Sequence, residues 1–205
     1  MFKKLFGFGK SKPQHDPRDL LKKATSKKKD GELDEAVSFL RKAYKEIAKG
    51  NTNHSINTFL RLPNYLQKAG KPDEAWNEYN KLLNNGYPNQ LNNFSVITME
   101  HSKIYDKMRL FLQRENKNEK AIIFGILSDL AWVRGLNLQK RNSELNTFSK
   151  TQNIKDRLES LLKKANLENE IDEFVKVVSA ELNDPNNLDL NRASNKTKKL
   201  ISNNL

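Results

Sequence analysis

Cysteine is absent from all 205 residues. That absence excludes disulfides and thiolate metal sites, and it agrees with a reducing compartment without requiring one. No run reaches the roughly 18–20 apolar residues that a membrane-spanning helix needs. Sustained alternation of apolar and polar residues is also missing, so no segment reads as a strand. The chain has no Gly-x-Ser-x-Gly elbow, no phosphate-binding glycine loop and no His-Glu-x-x-His helix. Its three histidines, His15, His54 and His101, share no ligand spacing. Neither an enzyme nor a metal or other cofactor is therefore expected. The segment Met1-Phe2-Lys3-Lys4-Leu5 starts like a secretory signal but lacks the apolar core and small-residue cleavage site that one requires. The expected location is cytoplasmic.

What the sequence does contain is charge and helical periodicity. Lys and Arg number 37 against 25 Asp and Glu, a net charge of +12. The excess is concentrated in residues 1–30 and 101–150, while 31–100 and 151–205 are balanced. Such basic concentrations attract polyanions: nucleic acid, anionic lipid or an acidic protein segment. The chain is also rich in Lys and Asn, and a compositional bias produces the same excess, so charge alone does not choose among these partners.

Residues 1–15 read as a flexible basic arm. Asp16-Pro17 then supplies an N-cap and a first-turn proline, and a helix carrying Leu20, Leu21 and Ala24 runs to about Asp30-Gly31. Its partner places Val37, Leu40, Ala43, Tyr44 and Ile47 on one face. A second pair carries Ile56, Phe59, Leu62, Tyr65 and Leu66, then Ala75, Trp76, Tyr79 and Leu82. Pro63 should kink the first helix of this pair or mark a late start. After a looser stretch to about Val96, a third pair carries Ile104, Met108, Phe111 and Leu112, then Ala121, Ile122, Ile126 and Leu130, with Gly135 expected to close it. Residues 137–150 read as a linker, 151–183 as a C-terminal helical pair, and 184–205 as a flexible tail. The expected class is all-α: stacked antiparallel helix pairs over 16–136, with the 151–183 helices capping the open apolar face.

Three turns share a pattern, Gly31 to Ala36, Gly70 to Ala75 and Asn116 to Ala121. With Ala24 and Ala43 around the first and Tyr79 and Leu82 after the second, these units resemble tetratricopeptide repeats, in which small residues let paired helices approach. In the third unit Asn116 replaces the usual Gly, and Gly125 stands at the aromatic position. Tyr65-Leu66-Gln67-Lys68 and Phe111-Leu112-Gln113-Arg114 match in register. The Ala positions lie 39 and 46 residues apart, against roughly 34 for that repeat, so the stack is divergent. Phe59-Leu60-Arg61-Leu62-Pro63 and Tyr105-Asp106-Lys107-Met108-Arg109-Leu110 also resemble segments of uncharacterised bacterial proteins, a likeness that implies no activity.

The repeat resemblance implies a concave face lined by the first helix of each pair. It aims Arg18 and Lys22, then Asn57, Arg61 and Asn64, then Lys103 and Lys107 toward a partner. Lys and Arg there would hold carboxylates, and Asn would bond an extended backbone. The expected function is a non-enzymatic adaptor binding an acidic protein segment in a basic groove. One alternative is a nucleic-acid-binding protein that uses Lys27, Lys28, Lys29 and the basic residues of the third unit on phosphates; another is a toxin-neutralising protein. In the arm, Phe2, Lys3, Lys4, Leu5 and Phe6 could contact a partner or an anionic membrane surface, although two glycines and its short length disfavour a membrane helix.

Overall fold

Four inter-helix turns in the computed structural model share one backbone solution. The structure describes residues 15–50, 52–139, 147–184 and 187–204, with only the backbone of 147–152. At each of the four turns a residue with positive φ ends a helix: Gly31 at 83°, Gly70 at 72°, Asn116 at 56° and Asn166 at 56°. The next residue donates its N–H back five positions. Glu32 bonds the Lys27 carbonyl, Lys71 that of Leu66, Lys117 that of Leu112 and Leu167 that of Leu162, each at 2.9 Å. This is the Schellman closure, which satisfies helix-end carbonyls and reverses the chain within a few residues. The left-handed conformation favours Gly, with Asn the usual substitute. The fourth turn extends the sequence pattern; it was not anticipated because Ile171 stands where the other three have Ala.

Every regular element among the described residues is helical. Two compact units, Met1–Gln90 and Leu91–Leu205, divide the chain. The expected 16–136 array is thus split between them, at a boundary inside the looser stretch before Val96.

In the first unit, α1 (Pro17–Lys29) begins as expected, with the Arg18 N–H donating to the Asp16 carboxylate at 2.8 Å. It packs on α2 (Leu33–Lys49), burying Leu20 and Ala24 opposite a face of Ala36, Val37, Leu40, Ala43 and Ile47. The short α3 (Ile56–Phe59) breaks at Leu60 before α4 (Arg61–Lys68). Pro63 therefore lies in the first turn of α4, where no intrahelical donor is required of it. The α4 helix packs on both α2 and α5 (Pro72–Asn85). Phe59 lies between the Tyr44 and Tyr87 rings, with centroids 4.9 and 4.5 Å away. The Asn89 amide then donates to the carbonyls of Ile47 and Gly50, both at 3.0 Å, closing the end of α2.

The second unit is built around α7 (Asn118–Leu138), which packs on α6 (Phe94–Arg114), α8 (Thr147–Lys164), α9 (Ile171–Leu182) and α10 (Leu190–Asn203). By length and composition α7 could cross a membrane, contrary to the expectation that no such run exists. Its apolar character matches its place in the core, where Ile122, Ile126, Leu130 and Ala131 are wholly buried. Gly135 does not end this helix. It lies inside α7, where an added Cβ would sit 2.3 Å from Met99 Cγ and 3.2 Å from the Ser95 carbonyl, so it allows close approach to α6. Gly125 does the same toward Leu161 of α8, whose Cδ1 would lie 2.6 Å from an added Cβ.

Within the expected flexible tail, 184–205, the described residues 187–204 include a packed helix, α10. Asp189 caps α10 through bonds from the Asn191 and Arg192 N–H groups, and Ala193, Thr197 and Ile201 are buried. The α8 and α9 helices share their apolar cluster with α7 and α10. Of the expected 137–150 linker, the first residues belong to α7 and the last to α8, while 140–146 lie outside the described residues.

An added Cβ at Gly31 or Gly70 meets nothing within 4 Å, so substitution there tests backbone conformation alone. Gly31→Ala and Gly70→Ala are each expected to lower the unfolding free energy by about 1 kcal/mol in urea titrations. Unchanged stability would show that these turns tolerate a right-handed residue.

Candidate functional site

The residues expected to line a groove have different environments. Arg18 and Lys22 are exposed on α1, beside Asp16 at 3.4 Å and Asp19 at 3.9 Å respectively. Asn57 is exposed on α3. Arg61, by contrast, is committed inside its own unit. One of its terminal nitrogens donates to the Leu21 carbonyl at 3.0 Å and to the Thr25 hydroxyl at 2.8 Å, and its guanidinium lies 5.7 Å from the Tyr65 ring centroid. Through this nitrogen it ties α4 to α1. Asn64 is half-buried, and its carbonyl oxygen is enclosed without a hydrogen bond.

Lys103 and Lys107 are exposed one turn apart on α6 and make no ion pair among the described residues. They belong to the second unit, whereas the other five belong to the first. Phe2, Lys3, Lys4, Leu5 and Phe6 lie outside the described residues.

The alternative phosphate-binding residues are partly committed as well. Lys27 donates to the Glu32 carboxylate and lies 2.9 Å from that of Glu35, two contacts that hold its pKa above the ordinary lysine range. His101 packs edge-on to Tyr105 with ring centroids 6.3 Å apart, and burial holds its pKa below the usual imidazole value. Among the described residues no group of three or more His, Asp or Glu side chains is placed to hold a metal.

The strongest polar cluster was not anticipated from the sequence. It draws on three helices of the second unit. Arg157 of α8 donates from one terminal nitrogen to Asp129 of α7 and from the other to Asp106 of α6, both at 2.6 Å. Arg109 donates to the same Asp106 oxygen at 2.8 and 3.0 Å, and to Gln113 at 3.0 Å. Beside the cluster lies a cavity of about 370 Å³, lined by Ser102, Ser128, Val133 and Ile154, with Trp132 nearly half exposed. The Ser128 hydroxyl donates to the Ser102 carbonyl at 3.0 Å. Since Arg157 already engages two carboxylates and Ser128 bonds the neighbouring helix, the cluster braces α6, α7 and α8 together. One sequence signal pointed to it: Asp129, next to Ser128, breaks the apolar stretch between Ile126 and Ala131, where an isolated charge on a core helix requires a partner.

Burial pushes the Asp129 carboxyl up to about 6, with the Asp106 charge adding to the rise and Arg157 and Arg109 opposing it.

Comparisons with known protein families, curated proteins and solved structures returned no match.

The raised Asp129 pKa fixes the sign of a pH effect. The folded chain holds this proton to a higher pH than the unfolded chain does, so the resulting stabilisation is complete below the ordinary value of 3.8 and is lost as pH rises through about 6. Between those limits the wild type should lose about 1–3 kcal/mol relative to Asp129→Asn. Parallel stability-versus-pH curves for the two proteins would contradict this.

Proposed function

We propose that this chain is a non-enzymatic, divergent tetratricopeptide-like adaptor that binds an acidic protein segment in the cytoplasm. In this reading the helix pairs run antiparallel and present first-helix cations to the partner. Supporting it are the recurrent Schellman turns, and the wholly buried Ala36, Ala75 and Ala121 that follow three of them. Small buried residues at this point let successive helices approach closely.

The observation that carries the partner's chemistry is the exposure of Lys103 and Lys107 on one face of α6. Two cations a turn apart suit a segment with two spaced carboxylates. Arg18 and Lys22 are exposed on α1 as a second candidate contact, each beside an aspartate. An acidic protein is favoured over nucleic acid because Lys27, in the basic run otherwise suited to phosphates, is held by Glu32 and Glu35.

The test is chemical crosslinking and affinity capture from cells that express the chain, comparing wild type with Lys103→Glu/Lys107→Glu and with Arg18→Glu/Lys22→Glu. Reversal on α6 should weaken retention of an acidic partner at least about tenfold, a change of 1.4 kcal/mol. Undiminished retention by both variants would reject the proposal.

A further inference from the structure

The α9–α10 pair forms a second concave surface, independent of the cavity braced by Arg157. A groove of about 350 Å³ runs between these helices. The buried Val177 and the half-buried Leu200 supply its apolar lining, while Lys176, Lys196 and Lys199 contribute cations and Glu173 one carboxylate. Lys196 and Lys199 are three residues apart on α10 and thus share one face.

The charge in this groove is not balanced locally. The α10 helix contains no carboxylate over Leu190–Asn203. Its Arg192 is already engaged, donating through two nitrogens to the fully buried Glu181 at 2.7 Å each. Glu181 also accepts from the Asp189 N–H at 2.9 Å, so this one carboxylate fixes the start of α10 against α9. On the α9 side Lys176 is matched by Glu173 at 2.5 Å. Lys196 and Lys199 therefore leave the groove with a positive surplus, between walls whose relative placement is set by the exposed Arg192 on the buried Glu181 carboxylate.

We infer that the α9–α10 groove docks an acidic amphipathic helix of a partner protein, whose apolar residues pack on Val177 and Leu200 and whose carboxylates, one turn apart, meet Lys196 and Lys199. A groove between two helices accepts a third through apolar residues at i, i+3 and i+4. An apolar lining distinguishes this occupant from nucleic acid, whose phosphate backbone has nothing to place there. The inference rests on the acidic-partner reading and adds to the α6 contact a second one on the C-terminal helices.

The test is an NMR titration of the full isotope-labelled chain with a synthetic Glu/Leu/Ala peptide of about 16 residues, enough for four helical turns. A second peptide has Leu replaced by Ser, and a thymidine oligonucleotide is titrated separately. Saturable shifts should centre on Val177, Lys196, Lys199 and Leu200. Lys196→Glu/Lys199→Glu and the Leu-to-Ser peptide should each weaken binding about tenfold or more. Because both lysines are exposed, an unchanged thermal melt will show that the variant remains folded. Shifts centred on Lys103 and Lys107 would overturn the groove while leaving the acidic-partner reading standing. Absence of saturable binding, or equal binding of both peptides and the oligonucleotide at the groove, would overturn the inference.

Discussion

A helix that ends inside a folded chain must satisfy its last carbonyls and send the backbone back without an unpaired polar group. Here a single left-handed residue meets both requirements at Gly31, Gly70, Asn116 and Asn166. The equal 2.9 Å bonds that follow them show the same closure used twice in each unit. Pairing in α1–α2, α4–α5, α6–α7 and α8–α9 depends on these turns, because each brings two apolar faces together within a few residues. Where the fourth residue of the second helix is Ala, as at Ala36, Ala75 and Ala121, a small side chain lets the two helices approach.

The second unit adds a constraint that the first lacks. Its central helix is apolar nearly all round, as a helix packed on four others must be. Glycines at 125 and 135 admit α8 and α6 at distances where a Cβ would collide with Leu161 and Met99. The one carboxylate in the middle of that helix, Asp129, is retained beside Arg157, which also holds Asp106. A half-buried pair of this kind contributes orientation more than net stability, and it fixes α8 against α6 and α7.

Much of the helical layout was legible in the sequence. Apolar residues at i, i+3 and i+4 marked the paired faces, Asp16-Pro17 marked the first start, and Pro63 marked a break that the structure places at Leu60. Other features were hidden for identifiable reasons. The Lys- and Asn-rich composition of α10 disguised a three-residue apolar stripe at Ala193, Thr197 and Ile201, in which Thr197 buries its hydroxyl by bonding the Ala193 carbonyl at 2.8 Å. Gly135 read as a stop because glycine serves equally at helix ends and at close contacts. The site was harder to foresee. A repeat register indicates which way a residue points, but it does not tell that Arg61 would be captured by Leu21 and Thr25, 40 and 36 positions away. The Asp106–Arg109–Asp129–Arg157 cluster brings together three helices and has no local motif.

The recurrent turn is most directly tested at its least expected member. Through-hydrogen-bond NMR couplings across residues 160–170 report which carbonyl the Leu167 amide bonds. The account predicts a coupling from the Leu167 N–H to the Leu162 carbonyl, with Asn166 in the left-handed region. A coupling to the Lys163 carbonyl, with Asn166 right-handed, would show an uninterrupted helix and contradict it.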